Sequence, residues 1–445
     1  MEKTFFFYDL ETSGLKARED RPMQFAGQRT TMDLEPIGEP VNILIKMNDD
    51  MLPSPSAIAV TKITPQDTLR DGISEAEFCR IASEEIFTPG TMVVGYNTVR
   101  FDDEFMRALF WRNFYDPYEW EWKDARSRWD MLDVVRLVRA LRPDGINWPF
   151  TEDGKPTNRL ELLTKMNGLE HEHAHDALSD VYATIAVAKM IHDKQPKMFN
   201  YLFQMRDKKK VRELVNLENK RPFVYASGKY SSEHDKTTVA FPLTAGRNGN
   251  VLVYDLRYDV RKISEAPFSV VKELCYNKCP AVAPTNVLRD EDWKRIGLTQ
   301  EAVDENLKIL LEHPEFAEQM RSEHEKDSEF PPAVEPEAAL YDGFLSDTDR
   351  IKVAAVRNAD SNRLADFHPD FHDPRLEGLL LHYKGRNYPE SLSDVEAEKW
   401  EEYRRSRLER LAPRFLKELE EVYKKDEFVA EELKLYFENV FASDY

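Results

Sequence analysis

Apolar positions fall into three stretches of different rhythm along the chain. In the first, short runs with period-two alternation come early. Phe5 to Tyr8, Met23 to Thr31 and Val41 to Met47 read as strands with Gly and Pro between them, and three strands in quick succession predict an antiparallel meander. Ser74-Glu75-Ala76-Glu77 is a capping box that opens a helix to about Phe87, where Pro89-Gly90 stops it. Thr91 to Gly95 is another strand. Phe101 to Phe114 and Asp130 to Leu141 carry helical spacing, and Arg159 to Met166 is a short helix closed by Asn167-Gly168. A long amphipathic helix from about Asp176 to His192 then sets Ala177, Val181, Ile185 and Ala188 on one face. Strands interleaved with helices make residues 1–195 an α/β region.

From 196 to 345 the rhythm changes. Phe223 to Ala226, Thr237 to Leu243 and Val251 to Leu256 read as strands, the last two joined by the hairpin signal Asn248-Gly249. A small β-rich domain with helices appended after Asp290 is expected, and Phe330 to Pro336, with three prolines, reads as a connector. From 346 to 445 the pattern is almost wholly helical. Glu396 to Leu411 and Arg414 to Phe441 carry apolar positions at helix spacing among many charges, and no internal repeat stands out.

Composition narrows the class. Of 445 residues, 41% are hydrophobic and 32% charged, enough for several cores in a soluble protein. No apolar run approaches the ~20 residues of a membrane helix. Phe5-Phe6-Phe7 is too short for a signal-peptide core, so a cytoplasmic protein without membrane partners is expected. Three cysteines, Cys79, Cys275 and Cys279, make no disulfide framework or zinc site and read as ordinary buried thiols. The net charge of −20 argues against a polyanion as partner. It is unevenly spread: Glu301 to Asp342 holds 3 basic and 13 acidic residues, while Arg206 to Arg221 holds 7 basic and 3 acidic. Local potential, not the sum, steers a ligand.

Three short stretches carry the chemistry. Asp9 and Glu11 are two apart on a predicted strand, so both carboxylates point to one side and can share a hard cation. Asp102 falls after the Thr91 to Gly95 strand where a helix begins, a favoured place for active-site groups; its neighbours Asp103 and Glu104 fit charge complementing the helix dipole. His175 lies where a loop enters the long helix. Asp180, a turn later, shares the inward face with Ala177 and Thr184, where a carboxylate needs a partner such as a metal. Four carboxylates and a histidine can hold two Mg²⁺ ions and activate a water for attack on a phosphodiester, with His175 as general base. A rival reading overlaps. His171-Glu172-His173-Ala174-His175 matches the H-E-x-x-H zinc pattern, but that pattern needs a helix and helical periodicity starts only after it.

In this order, Asp-x-Glu, Asp and His-x₄-Asp resemble the DEDDh exonucleases of ribonuclease H-like fold. Longer stretches resemble the bacterial exonuclease I family: Gly95 to Glu104, Arg112 to Tyr118, Leu141 to Pro149, Ala174 to Ala177 and Asp180 to Thr184. The resemblance implies an α/β ribonuclease H-like exonuclease domain (1–195), an SH3-like β-rich domain with appended helices (196–345) and an all-α C-terminal domain (346–445). It implies Mg²⁺-dependent 3′→5′ hydrolysis of single-stranded DNA to 5′-mononucleotides, with Mn²⁺ as a substitute ion. By position, Asp9, Glu11, Asp102 and Asp180 are metal ligands, His175 is the base and Arg159 contacts substrate phosphate. Arg107, Tyr118, Trp122, Arg136 and Lys208, with Glu11, are the further substrate contacts expected. Leu10 and Ser13 stand where the family often carries Tyr and Phe, which bears on how the terminal nucleotide is wedged. The family also binds the acidic C-terminal tail of single-stranded DNA-binding protein, and a monomer is expected.

Single-strand binding combines a cationic groove with aromatic platforms. Phe110 to Trp129 supplies Trp111, Tyr115, Tyr118, Trp120 and Trp122 among Arg112, Lys123, Arg126 and Arg128, with core packing as the competing use; Lys208, Lys209 and Lys210 are a groove lining or a solvated run. Two other functions compete: an RNA 3′-exonuclease of the same superfamily, whose members are shorter, and a DNA-end-binding scaffold, which has no use for a paired-metal cage.

Overall fold

The computed structural model describes residues 3–169, 176–263, 267–326 and 332–442. The first sheet is five-stranded. β1 (Thr4–Thr12), β2 (Pro22–Thr30) and β3 (Pro36–Leu44) form the antiparallel meander. β4 (Thr91–Gly95) and β5 (Ser127–Asp130) add parallel strands on the other side of β1, giving the order β3-β2-β1-β4-β5. The third strand begins five residues before the apolar run at Val41, because backbone pairing with β2 continues, past a register shift, to Ile37 and Pro36 on an exposed edge.

Five helices of this region matter for the site: α1 (Glu75–Ile81), α2 (Asp102–Arg112), α3 (Met131–Leu141), α4 (Leu160–Met166) and α5 (Ala177–Lys194). Alternation along β1 sorts them. Phe5 and Phe7 face a core shared with α3 and α5, while Phe6, Tyr8 and Leu10 face one shared with α1 and α2. The expected capping box at Ser74 is half made. Its side chain accepts the Glu77 N–H at 3.2 Å, but Glu77 turns to Arg80 at 2.9 Å, and a widened turn over Ala82–Ile86 carries the helix to Phe87.

The second sheet, wholly antiparallel, contains β6 (Phe223–Ala226), β7 (Thr237–Ala245), β8 (Val251–Asp255), β9 (Val271–Leu274) and β10 (Ala281–Pro284) in the order β10-β6-β7-β8-β9. Helices Asp290–Arg295, Gln300–Glu312 and Pro314–Lys326 follow it. Val224, Ala226 and Val239 join the α3–α5 core, so the two sheets share one apolar interior. The remaining region is helical: α6 (Arg375–Asn387), α7 (Asp394–Tyr423) and α8 (Glu427–Ala442) dominate it. Leu408, Phe415 and Leu433 pack on Met23, Met47 and Ile58, and Leu376 and Tyr383 pack with Trp111 and Phe114.

A buried ionic lattice closes this second seam. Glu75 takes Arg112 at 2.6 Å, and Arg21 reaches Glu337 at 2.9 Å. Arg386 joins Glu337 to Asp50, each at 2.7 Å, and Arg407 also reaches Glu337. Burial alone would raise Asp50 and Glu337, but the surrounding arginines hold both well below the carboxylate range. His382, buried against Tyr403 and near Arg386, is pushed down to about 3 and stays neutral.

Candidate metal centre and nucleic-acid interface

The site forms where β1 outruns its neighbour. Pairing with β4 ends at Phe7 opposite Val94, while β1 continues to Thr12. On the face that holds Phe5 and Phe7, the next two side chains are Asp9 and Glu11, so an apolar row turns acidic as it leaves the core. Helix α5 crosses that face and brings Asp180 from its first turn. One carboxylate oxygen from each of Asp9, Glu11 and Asp180 lies within 4.8 Å of the other two. Among the described residues this is the one such cluster of potential metal ligands. Asp176 caps α5 by accepting the Ser179 N–H at 3.1 Å, and Ala177 and Thr184 lie buried beside Asp180.

Asp102 is the first residue of α2, reached by the loop after β4. Past the last residue that pairs with β4, the Leu10 N–H donates to Asp102 Oδ1 at 3.1 Å. One Asp102 oxygen is thereby turned to the backbone, and the group stands beside the three-carboxylate cluster rather than within it. The loop that delivers Asp102 is held by a residue that belongs to none of the three motif stretches. Buried Asp130 accepts N–H groups from Asn97 at 2.9 Å, Val99 at 3.2 Å and Leu132 at 2.9 Å. Asn97 is left-handed at φ 71°, and a Cβ at Gly95 would lie 2.0 Å from the Thr98 side chain, so only glycine permits this turn. Burial and nearby Asp133 push Asp130 up to about 6. Asp130 was legible only as the start of a helix, because its work is with backbone groups distant in sequence.

The electrostatics are those of acids crowded together. Burial, then Asp102, Asp180 and Glu11, raise Asp9 well above its ordinary range. Burial, then Asp180 and Asp102, push Glu11 up to about 8. Burial and Asp103 raise Asp102. Such a set of hard oxygen donors cannot be fully ionised without added positive charge, and a divalent cation fits it. Asp103 has a separate use: Tyr8 donates its hydroxyl to it, and Arg128 pairs with it. Glu104 is also engaged, by Arg107 at 2.9 Å, Lys278 at 3.5 Å and the Tyr341 hydroxyl. The first turn of α2 is thus pinned by Lys278 of the β-rich domain and by Tyr341, a few residues after the proline-rich connector.

The remaining expected contacts divide. His175 and the rival zinc pattern at 171–175 lie outside the described residues. Arg159 is exposed at the start of α4 and makes no side-chain cap. Trp122 is 64% exposed, and Tyr118 is partly exposed under the Arg107 guanidinium. Arg107, expected among the substrate contacts, is itself buried and committed to Glu121 at 2.5 Å and to Glu104, so it braces the fold rather than offering open donors. Arg112 and Arg128 are likewise buried in ion pairs, and Trp111 and Trp120 are core. Arg136 pairs with Asp133 at 2.6 Å. Lys208 lies with Lys209 and Lys210 on an exposed short helix, Lys208–Leu214. No helix among the described residues is long and apolar enough to cross a membrane.

Comparison with known proteins extends this geometry over the whole chain. Family models match in sequence order: exonuclease at 6–188, exonuclease I SH3-like domain at 206–276 and 267–326, and exonuclease I C-terminal domain at 334–439. The exodeoxyribonuclease I of Escherichia coli (strain K12) is 41% identical over 426 residues, covering 91% of this chain and 90% of that one. E. coli exonuclease I in complex with a dA16 oligonucleotide superposes with a TM-score of 0.93 at 39% identity, over 99% of this chain and 100% of that one. An SSB/exonuclease I structure with the inhibitor CFAM gives 0.91 at 39% identity, and the zinc-bound form of the E. coli exonuclease I–ssDNA complex gives 0.92 at 37%, both with the same coverage.

Proposed function

Since this chain belongs to the exonuclease I family, we propose that it removes 5′-mononucleotides from the 3′ end of single-stranded DNA at a centre whose metal ligands are Asp9, Glu11, Asp102 and Asp180. The observation that carries the reading is the approach of Asp9, Glu11 and Asp180, drawn from β1 and α5, to within 4.8 Å. The exonucleases are metal-dependent, and an all-carboxylate donor set favours Mg²⁺, with Mn²⁺ as a substitute. When bound, the ions supply Lewis-acid activation of water and charge stabilisation at the leaving 3′ oxygen. The protein's own part is to orient and to move protons. β1 fixes Asp9 and Glu11 on one face, the Asp102–Leu10 bond fixes the neighbouring loop, and Asp176 holds the turn that carries Asp180. His175, next to Asp176 in sequence, takes the proton of the attacking water.

Arg159 and Trp122 are open to solvent, with Tyr118 partly so, and they serve the strand: Arg159 through phosphate, the aromatic rings through base stacking. Arg136 and Lys208 add positive charge. The exonuclease domain ends at residue 195 and the SH3-like domain at 345. The chain works as a cytoplasmic monomer in DNA repair, with the C-terminal tail of single-stranded DNA-binding protein as partner, in keeping with the SSB/exonuclease I structure. The test is incubation with 3′-blocked and unblocked single-stranded DNA and RNA, with Mg²⁺ or with EDTA. Mononucleotides from unblocked DNA with Mg²⁺ alone are expected. Preferential RNA cleavage would transfer the assignment to an RNA 3′-exonuclease, and retention without cleavage would reduce the protein to a scaffold.

A further inference from the structure

Asp102 is the one expected ligand that opens a helix, and nothing in its own stretch fixes where that helix starts. Phe101 stands at the N-cap of α2 and makes no side-chain cap there. The start is fixed instead by the next residue, Asp103, on the face of the sheet opposite to Asp9 and Glu11. Phe6, Tyr8 and Val93 pack with α2 on that face, and Arg128, the β5 partner of Val93, stands on it too. Asp103 is buried among them. One of its oxygens accepts the Tyr8 hydroxyl and the other pairs with the Arg128 guanidinium. A carboxylate has only these two oxygens, so β1 and β5 grip the group from both.

Arg128 is itself held. Its Nη2 donates to the Asn277 carbonyl at 2.9 Å, its Nε faces Glu121 at 3.1 Å, and its own carbonyl accepts the Cys279 thiol at 3.3 Å. Lys278, between these two contacts in sequence, reaches Glu104 at 3.5 Å. Three consecutive residues of the SH3-like domain, on the turn joining β9 to β10, thus bear on the groups behind Asp102. Cys279 is left-handed at φ 47°, an unfavourable backbone for a residue with a Cβ, which the contacts of the turn hold in place. On the site's side Asp102 is tied to the Leu10 N–H. Leu10 and Tyr8 belong to the same strand as Asp9 and Glu11, so β1 grips Asp102 and Asp103 together. A slip of α2 along that strand would move Asp102 relative to the other ligands. We infer that Asp103 is a positioning residue: clamped by Tyr8 and Arg128, it sets the place of Asp102 beside Asp9 and Glu11, and the β9–β10 turn of the SH3-like domain keeps the clamp closed. This rests on the proposed function and adds to it a role for residues on the far face of the sheet.

The test compares four variants. Tyr8→Phe removes one hydroxyl and no charge, Asp103→Asn removes the carboxylate, Cys279→Ala removes a contact of the turn, and Glu121→Gln loosens a different arm of Arg128. Turnover is measured across a Mg²⁺ titration on single-stranded DNA and on the one-nucleotide ester thymidine 5′-(p-nitrophenyl phosphate). Strand affinity is measured in EDTA by fluorescence anisotropy, and stability by melting. Asp103→Asn should lower kcat about 10–100-fold and Tyr8→Phe about tenfold, equally on both substrates, and both should raise the half-saturating Mg²⁺ while strand affinity in EDTA stays at the parent value. Cys279→Ala should shift the same quantities in the same direction by less. Glu121→Gln should lower the melting temperature and keep kcat near that of the parent, which separates positioning from general packing. Parent kcat and Mg²⁺ half-saturation in Tyr8→Phe and Asp103→Asn would overturn the clamp, and so would an equal loss of turnover in Glu121→Gln. Parent behaviour in Cys279→Ala would overturn the part given to the SH3-like domain. If Asp103→Asn does not fold, Tyr8→Phe decides alone. A parent protein that leaves single-stranded DNA intact would instead remove the proposed function on which the clamp depends.

Discussion

Replacing Glu11 by Gln should abolish turnover and yet make the metal-free protein more stable. Burial and the charges of Asp180 and Asp102 push the Glu11 carboxyl from 4.5 up to about 8. Folding therefore binds a proton that the unfolded chain gives up above pH 4.5. Metal-free stability is highest below that value and falls as pH climbs towards about 8, by about 1.4 kcal/mol per pH unit and about 5 kcal/mol in all. That figure is an upper value, because Asp9 and Asp102 share the same repulsion and part of the strain passes to them. Gln keeps the shape and removes the charge. In EDTA at pH 8.5 the variant should melt several degrees above the parent protein, and at pH 5 the two should nearly coincide. Adding Mg²⁺ should reverse the order at pH 8.5, because binding stabilises the folded form in proportion to affinity and the variant has lost a ligand. Thermal unfolding followed by circular dichroism at the two pH values, with EDTA and with Mg²⁺, reads all of this. If the variant melted at or below the parent's temperature in EDTA at pH 8.5, the crowding of acids inferred for this site would be wrong.

Other consequences can be checked in the same material. Asp130→Asn leaves one acceptor oxygen for three backbone donors; we expect a loss of about 1–3 kcal/mol in stability and a fall in kcat larger than any rise in KM, measured by melting and steady-state kinetics. Glu337→Gln strips charge from a carboxylate facing three buried arginines and should cost about 3–5 kcal/mol, read as a lowered melting temperature; an unchanged temperature would mean the lattice contributes no more than an apolar seam. Arg159→Ala should raise KM for single-stranded DNA and leave kcat close to the parent value, since the side chain is exposed and makes no cap contact. Calorimetric Mg²⁺ titration at pH 7 in buffers of different ionisation enthalpy should show proton release, because Glu11 is largely protonated there without metal.

What the sequence made legible followed from period and spacing. The antiparallel meander, the helix carrying Asp180 and the same-side placement of Asp9 and Glu11 are consequences of apolar alternation, and the structure has them. Uses that depend on partners far along the chain were not legible. The arginines and aromatic residues between Phe110 and Trp129 read equally as a nucleic-acid groove or as core. Tertiary packing decided for core at Trp111 and Trp120, and for ion pairing at Arg112 and Arg128. The pairing of buried Arg107 was hidden for the same reason: its acceptor Glu121 lies on a later short helix that no periodic signal ties to α2. Asp130 acts on backbone groups distant in sequence, which leaves no trace in composition.

The most direct measurement follows a 5′-labelled single strand with Mg²⁺, comparing the parent protein with Asp180→Asn. With the parent the label should shorten stepwise from the 3′ end, and with the variant the strand should stay full length although it is still bound. Cleavage by the variant at the parent's rate would mean that the carboxylates gathered by β1 and α5 do not carry the reaction.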